Sequence, residues 1–146
     1  NREQTGHVFL DRRSAMMKLR HHLRRGRSAA ILADQNTIGG VVAPFFGRPA
    51  HCERAVAVFA RRLGVPVVFG ACYRTQRRWH YRMVFTEVLR PDELTGLSPE
   101  QVTSRINAEL ERMIRACPEQ YFWVHRKFKN LPDEHPDYYA DLAASK

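Results

Sequence analysis

Residues 118–129 are the part of the sequence best suited to binding an anionic ligand. Three cations (Arg126, Lys127 and Lys129) and four aromatic residues share these twelve positions. Aromatic side chains bury well at a membrane interface, and Arg and Lys hold phosphate oxygens. The expected ligand is therefore anionic with an apolar body, and a nucleic acid, with its phosphates and stackable bases, is the competitor. A C-terminal helix with a solvated basic face would have the same composition.

A second polar group follows an apolar run. Asp34, Gln35 and Asn36 come directly after residues 29–33, which we predict to form a short buried strand. Open α/β sheets place their ligand crevices at such strand ends, although a plain Asx turn would also explain these residues. We expect a long loop over residues 34–50. Its apolar, proline-stiffened tip either packs across the sheet or meets lipid.

The net charge is high and unevenly distributed. The 146 residues carry a net charge of +9, and residues 12–27 contain seven cations and no acid. Such a block attracts anionic partners and anionic membrane surfaces. The hydrophobic content of 44% is that of a globular protein, and no apolar run approaches the ~20 residues of a membrane span.

The sequence has no recognisable catalytic or metal-binding motif. Nucleophile-elbow, P-loop and dinucleotide-binding patterns are all missing from these 146 residues. The three cysteines lack C-x-x-C spacing, and the histidines are not paired at ligand spacing. We therefore predict neither a metal site nor a cofactor.

The hydrophobic pattern alternates between strands and helices. Beyond the strand at residues 29–33, it predicts strands at residues 7–10, 65–72 and 79–87 and helices at residues 14–25 and 51–63. The clearest helix begins at Ser98, where Ser98, Pro99 and Gln101 form a capping-box pattern. The predicted fold class is α/β, with a central, mostly buried sheet flanked by helices and incomplete at the N-terminus.

Two segments together carry a family resemblance. Residues 34–35 followed by residues 40–47, taken with residues 118–129, resemble the bacterial lipid A biosynthesis acyltransferases. These late lauroyl/myristoyl acyltransferases belong to the lysophospholipid acyltransferase superfamily. Residues 6–12 resemble the superfamily's second block, and residues 65–68 its fourth. The resemblance covers residues 6–132 and implies a glycerolipid-acyltransferase-like fold.

The resemblance also implies roles for individual residues. Arg12, assisted by Arg13, would pair with a lipid phosphate, and Asp34 and Gln35 would orient sugar hydroxyls. Arg126, Lys127 and Lys129 would hold a second phosphate or the anionic leaflet. The side chains expected to face the acyl chain or the membrane are Phe45, Phe46 and Trp123.

The implied reaction moves a fatty acyl chain from acyl carrier protein to a hydroxyl of a lipid A precursor, an anionic glycolipid. The family's catalytic block is a His, four residues, then Asp or Glu, and none of the seven histidines here has an acid at that spacing. We therefore expect residues 1–132 to be the C-terminal part of an acyltransferase domain and residues 133–146 a polar tail. The expected location is the cytoplasmic face of the bacterial inner membrane, with an anchor upstream.

Three alternatives stay open. A glycolipid acyltransferase acting on phosphatidylinositol mannosides would differ only in its acceptor. A non-catalytic scaffold that binds lipid or carrier protein fits the residues as they stand. A basic nucleic-acid-binding domain explains the charge and the aromatic residues, but not Asp34, Gln35 or the apolar loop, so nucleic acid is not the expected partner.

Overall fold

A computed structural model describes residues 15–140 of the chain. The strand predicted at residues 7–10, Arg12 and the end of the predicted tail lie outside the described residues. The elements in chain order are α1 (Ala15–Arg24), β1 (Val41–Phe45), β2 (Arg48–Cys52), α2 (Ala55–Leu63), β3 (Val67–Arg74), β4 (Tyr81–Leu89) and α3 (Pro99–Ala116), with single 3-10 turns at Asp92–Leu94 and Pro118–Gln120.

Helix α3 begins as the sequence predicts. The Ser98 hydroxyl accepts from the backbone N–H of Gln101 at 3.2 Å, and the Gln101 side chain accepts from the backbone N–H of Ser98 at 2.7 Å. Pro99 occupies the first helical position, where it has no hydrogen bond to lose. A cap of this kind stabilises a helix by about 1 kcal/mol.

Residues 41–52 form an antiparallel hairpin, so the prediction of a long loop over residues 34–50 is wrong. Phe46 and Gly47 make the two-residue turn, and both have positive φ, at 49° and 73°. Pro44 lies opposite Pro49. This pair adjoins the hydrogen-bonded pair next to the turn, so its missing N–H groups point away from the partner strand and cost no ladder bond. Because β2 runs to Cys52, α2 begins at Ala55 rather than at residue 51.

The described residues contain no central sheet. β3 and β4 form a second two-stranded antiparallel sheet that is separate from the hairpin. One face of β3 presents Phe69 to the core, whereas Val68 and its cross-strand partner Val88 lie exposed on the other face. The fold is therefore mixed α/β, and the expected central sheet flanked by helices is not found among residues 15–140.

Residues 29–33 do not form the predicted buried strand. Leu32 is 80% exposed, and no strand in the described part of the chain pairs with this segment. A short apolar run becomes a strand only when a neighbour completes its ladder, and the composition of the run does not say whether that neighbour is present.

Helix α3 separates two apolar cores. The first packs α2 and β3 against α3, and its members are Ala57, Ala60, Phe69, Leu94, Val102, Ile106 and Met113. The second packs the hairpin against the C-terminal half of α3, with Ala43, Phe45, Ala50, Cys52 and Ile114, and Tyr121 and Phe128 at its margin. The second core holds residues 34–50 and 118–129 side by side.

Candidate functional site

Asn36 joins the two segments that carry the family resemblance. Its side-chain amide donates to the carbonyls of Lys127 and Lys129 at 2.9 and 3.1 Å. Its backbone N–H donates to Nε2 of His125 at 2.8 Å. These bonds connect residues about ninety positions apart, so the polar turn after residue 33 is anchored directly to the cationic segment.

We call the contact between residues 34–36 and residues 121–129 the junction. Lys127 lies inside it. Its side chain is 4% exposed, and its ammonium donates to the carbonyl of Gln35 at 2.8 Å. The same ammonium lies 5.1 Å from the centroid of the Phe45 ring, in cation–π contact. Burial lowers the pKa of Lys127, and the nearby Cys52 and Asp34 partly oppose that shift. Lys127 therefore neutralises no charge at the surface and instead fixes the backbone of Gln35.

Tyr121 holds the backbone of Asp34. The phenol donates to the Asp34 carbonyl at 3.2 Å. Burial, reinforced by the charge of Asp34, raises the pKa of Tyr121 to about 12. The phenol thus stays protonated and able to donate throughout the physiological range.

Two histidines complete the junction. His125 accepts from Asn36, so its Nε2 must carry a lone pair, and burial together with the charges of Lys129 and Lys127 lowers its pKa. On strand β2, His51 Nε2 donates to the carbonyl of Asn130 at 2.7 Å. Nε2 of each imidazole is thereby committed to a backbone contact.

An aromatic cluster, consisting of Phe45, Phe46, Tyr121 and Trp123, covers the end of the second core. The ring centroids of Phe46 and Trp123 are 5.8 Å apart, and those of Tyr121 and Trp123 are 4.8 Å apart. Helix α3 fixes the hairpin turn in this cluster, because the Glu111 carboxylate accepts from the Phe46 backbone N–H at 2.7 Å. The ring centroids of Phe45 and Phe46 are 5.0 Å apart, so contacts between rings connect all four members of the cluster.

Only part of this cluster reaches the surface. Trp123 is 55% exposed, and the adjacent Phe122 and Val124 are 64% and 78% exposed. Phe45, in contrast, is 1% exposed. Of the aromatic residues predicted to face acyl chain or membrane, Trp123 is exposed and Phe46 is half-buried, whereas Phe45 belongs to the core.

The predicted substrate-binding residues are distributed between surface and interior. Gln35 and Arg126 are exposed, Asp34 is half-buried, and Lys127 is buried. The Arg126 guanidinium lies 5.6 Å from the ring centroid of Tyr139. Arg12 lies outside the described residues. The structure therefore gathers Asp34 and Gln35 beside the cationic segment, with Arg126 as its exposed cation.

Several residues of the junction were missed by reasoning from the sequence. Asn36 was noted only as the third member of a polar triplet, and His125 and Tyr121 only as part of a basic aromatic stretch. The predicted polar tail also contributes, since the Tyr139 phenol accepts from the Phe128 backbone N–H at 3.2 Å and Tyr138 packs on the Phe128 ring. No local signal in the sequence distinguishes these contacts.

An open apolar cavity of about 310 Å³ adjoins the junction. Its walls come from residues 31–34, residues 67–73 of β3 and the α3 positions between Ile106 and Ile114, with Tyr121 at its margin. Within residues 15–140, no group of three His, Cys, Asp or Glu residues is arranged to hold a metal ion. No helix in the same residues is long and apolar enough to cross a membrane. The chemistry that this arrangement offers is the binding of an amphiphilic anion.

Comparison with known proteins agrees with this chemistry. The family model described as bacterial lipid A biosynthesis acyltransferase matches residues 1–130. Lipid A biosynthesis palmitoleoyltransferase of Escherichia coli (strain K12) and lipid A biosynthesis acyltransferase of Shigella flexneri are each 28% identical over an alignment of 115 residues, and the match covers 75% of this chain and 36% of each relative. The chain thus spans about a third of the length of these curated relatives. With a family match that covers nearly the whole sequence, the chain belongs to the bacterial lipid A biosynthesis acyltransferase family.

Proposed function

We propose that the protein containing this chain transfers a fatty acyl chain from acyl carrier protein to a hydroxyl of a lipid A precursor. The observation that carries the proposal is the family match along residues 1–130. The palmitoleoyltransferase and acyltransferase described above are relatives named for acyl transfer in lipid A biosynthesis. The packing of residues 34–36 against residues 125–129 supports it, because an acceptor with phosphates and sugar hydroxyls needs cations and polar side chains at one place.

The reaction requires a general base that residues 1–146 do not supply at the family's spacing. We propose that a histidine in the remainder of the protein, oriented by a carboxylate that follows it after four intervening residues, removes the proton from the acceptor hydroxyl. The acceptor oxygen then attacks the carbonyl carbon of the thioester. The C–S bond breaks, and the carrier's thiolate leaves and takes up a proton.

Within this mechanism we assign the described residues to binding the acceptor. Gln35 and Arg126 are exposed and have side-chain groups that can bond sugar hydroxyls and phosphate. Asp34 lies beside them and has its backbone held by Tyr121. Lys127 was expected to hold a phosphate, but its buried ammonium is hydrogen-bonded to the Gln35 carbonyl, so we assign it a positioning role.

We further propose that the protein works at the cytoplasmic face of the inner membrane. The exposed side chains of residues 122–124 suit an interface where aromatic rings lie at headgroup depth. Arg126 and Lys129 follow directly and can meet lipid phosphates. The acceptor would then approach from the membrane, with its acyl chains still in the bilayer.

The test is the lipid A produced by cells. The complete gene that contains this chain is expressed in a bacterium lacking its late lipid A acyltransferases, and lipid A is analysed by mass spectrometry. We expect a species heavier by one fatty acyl group. An unchanged lipid A profile with the protein present in the membrane would contradict the proposal.

A second arm links the activity to the site. Gln35→Ala and Arg126→Ala should each lower kcat/KM for the acceptor by about tenfold or more, since each removes a bond to a charged or polar acceptor group. Arg77→Ala, at an exposed turn between β3 and β4, is the matched control. Equal effects in all three variants would remove Gln35 and Arg126 from the acceptor site.

A further inference from the structure

Helices α1 and α2 together present a surface of exposed positive charge. We define this two-helix basic surface by the exposed side chains of Lys18, Arg20 and Arg24 on α1 and of Arg61 and Arg62 on α2. The two helices pack against each other, and neither contains an Asp or a Glu. Among residues 15–140 the ion pairs are Arg112–Glu109 and Arg115–Glu111, both on α3, so no carboxylate pairs with this surface.

The arrangement on α1 is unfavourable for the helix by itself. Arg20 and Arg24 are one helical turn apart on the exposed face, a spacing at which like charges destabilise a helix. Met17 precedes them on the same face and is 79% exposed, while Leu19 and Leu23 turn inward. This face therefore consists of one long apolar side chain followed by cations, a composition that suits an acidic partner with a small apolar contact.

The end of α2 continues the surface towards the start of α3. The pKa of the Glu100 carboxyl is lowered chiefly by a hydrogen bond from Ser98, with a smaller contribution from the charge of Arg61. Ala57 and Ala60 of α2 share a core with Val102 and Ile106 in the first half of α3, so Arg61, next to Ala60, lies towards the N-terminal half of α3. Cations in the last turn of α2 also complement its helix dipole, which explains their presence at that end but not their combination with the arginines of α1.

The two-helix basic surface is separate from the aromatic residues that suit a membrane. Trp123 lies just beyond the other end of α3, where its indole N–H donates to the Pro118 carbonyl at 2.7 Å. An 18-residue helix is about 27 Å long. Arg61 and Trp123 are thus towards opposite ends of α3, and among the side chains of α1 whose burial the structure describes, residues 17–24, Met17 is the large apolar one that is exposed. A surface so poor in interfacial anchors fits a soluble acidic protein better than a bilayer.

We propose that the two-helix basic surface is the docking site for the acidic carrier protein that delivers the acyl chain. This inference rests on the proposed function, from which the protein-linked acyl donor is taken. Positive charge on two adjoining helices attracts and orients a partner whose helices carry carboxylates, and this raises the rate of encounter. The donor would then bind at the end of α3 opposite to the membrane-facing aromatic residues.

The experiment removes four charges from the full-length protein. In the docking variant, Arg20, Arg24, Arg61 and Arg62 are each changed to Gln. In the control variant, Arg74, Arg77, Arg78 and Arg82, which are exposed on the β3–β4 hairpin, are each changed to Gln. Transfer is measured with acyl carrier protein as donor and, in parallel, with the same acyl chain on pantetheine, which lacks the protein.

The docking variant should raise KM for the carrier-linked donor by about 10–100-fold, with kcat changed less than about twofold, because charge at an interface governs encounter more than chemistry. KM for acyl-pantetheine should stay unchanged in both variants. An equal rise in KM for both donors, or the same rise in the control variant, would overturn the proposal. The proposal would also be overturned if the docking variant lost binding to anionic phospholipid vesicles while its kinetics with the carrier-linked donor stayed unchanged.

Direct binding separates this inference from the proposed function. Immobilised full-length protein is titrated with acyl carrier protein, in wild-type form and as the docking variant. Binding that the docking variant loses, with no acyl transfer by the wild type, would support the docking site and refute the function. Transfer by the wild type, with carrier binding unaffected in the docking variant, would refute the docking site alone.

Discussion

The ammonium of Lys127 donates to the backbone carbonyl of Gln35 across 2.8 Å, which joins residues separated by 92 positions. A buried ammonium is stable only where its donors find acceptors, and here the acceptor is the backbone of a residue that we assign to the acceptor site. Lys127 therefore contributes to the site from the protein interior, where its hydrogen bond fixes the backbone at Gln35. The exposed members of the cationic segment remain free to meet a ligand.

Replacing Lys127 should destabilise the protein more than replacing an exposed lysine. Lys127→Ala removes the charged hydrogen bond to Gln35, leaves the Gln35 carbonyl without that donor and creates a cavity beside Phe45. We expect the free energy of unfolding to fall by about 2–4 kcal/mol. Chemical denaturation of the full-length protein measures it. Lys18→Ala, at an exposed position, should change it by less than about 0.5 kcal/mol, and equal losses would contradict the burial of Lys127.

Acid should weaken the junction through His125. The pKa of His125 in the folded protein lies below its ordinary value of 6.5, so below that pH the unfolded chain binds more protons than the folded protein does. Stability is therefore fully present above pH 6.5 and falls as the pH drops further. In His125→Gln, an amide oxygen can accept the same bond from Asn36 without titrating.

The measurement for His125 is the Tm between about pH 7.5 and about pH 5.5, the range in which histidine changes charge. The Tm of the wild type should fall more steeply with acid than that of His125→Gln. His80 is exposed and hydrogen-bonded only within its own turn, so His80→Gln is the matched control. A wild-type slope that His125→Gln leaves unchanged would show that His125 does not carry the acid dependence.

Asn107 should be required for stable packing of the β1–β2 hairpin against α3. It is 1% exposed, and its amide donates to the Pro44 carbonyl at 2.6 Å and to Sγ of Cys52 at 3.2 Å. Asn107→Ala and Asn107→Leu should each lower the free energy of unfolding by about 2–4 kcal/mol, because both leave the Pro44 carbonyl without a partner. If Asn107→Leu kept the stability of the wild type and Asn107→Ala did not, lost side-chain volume rather than lost hydrogen bonds would explain the effect of Asn107→Ala.

Trp123 should lie at the membrane interface in the reconstituted protein. The full-length protein in vesicles of lipids brominated near the headgroup end of their acyl chains should show fluorescence quenching that Trp123→Phe reduces, because a ring at the interface lies close to those bromines. Trp79→Phe is the control, since Trp79 is 77% exposed at the β3–β4 turn. Quenching that depends on Trp79 instead would place the other side of the molecule against the bilayer.

The sequence predicts those elements whose signals are local. The start of α3 is confirmed, because Ser98, Pro99 and Gln101 contact one another within one turn. The hairpin at residues 41–52 was missed, since Pro44 and Pro49 are typical of loops and only their pairing across the strands makes them harmless. The strand predicted at residues 29–33 is wrong because strand formation depends on a neighbour that local pattern does not reveal.

The site was predictable as a pair of segments but not as a set of contacts. The resemblance placed Asp34 and Gln35 in one functional unit with residues 118–129, and the structure brings these segments together. Their composition could not show that Lys127 turns inward while Arg126 stays outside. That difference depends on the Phe45 ring and the Gln35 carbonyl, which lie far away along the chain.

The burial of Lys127 has a use in chemical footprinting. An amine-reactive reagent should modify the exposed Lys18 readily, whereas the ammonium of Lys127 is 4% exposed and is shielded by the chain itself. Once the junction opens, its amine becomes accessible to the reagent. The extent of acylation at residue 127, read by peptide mass spectrometry, would thus report in intact membranes whether the two halves of the site are in contact.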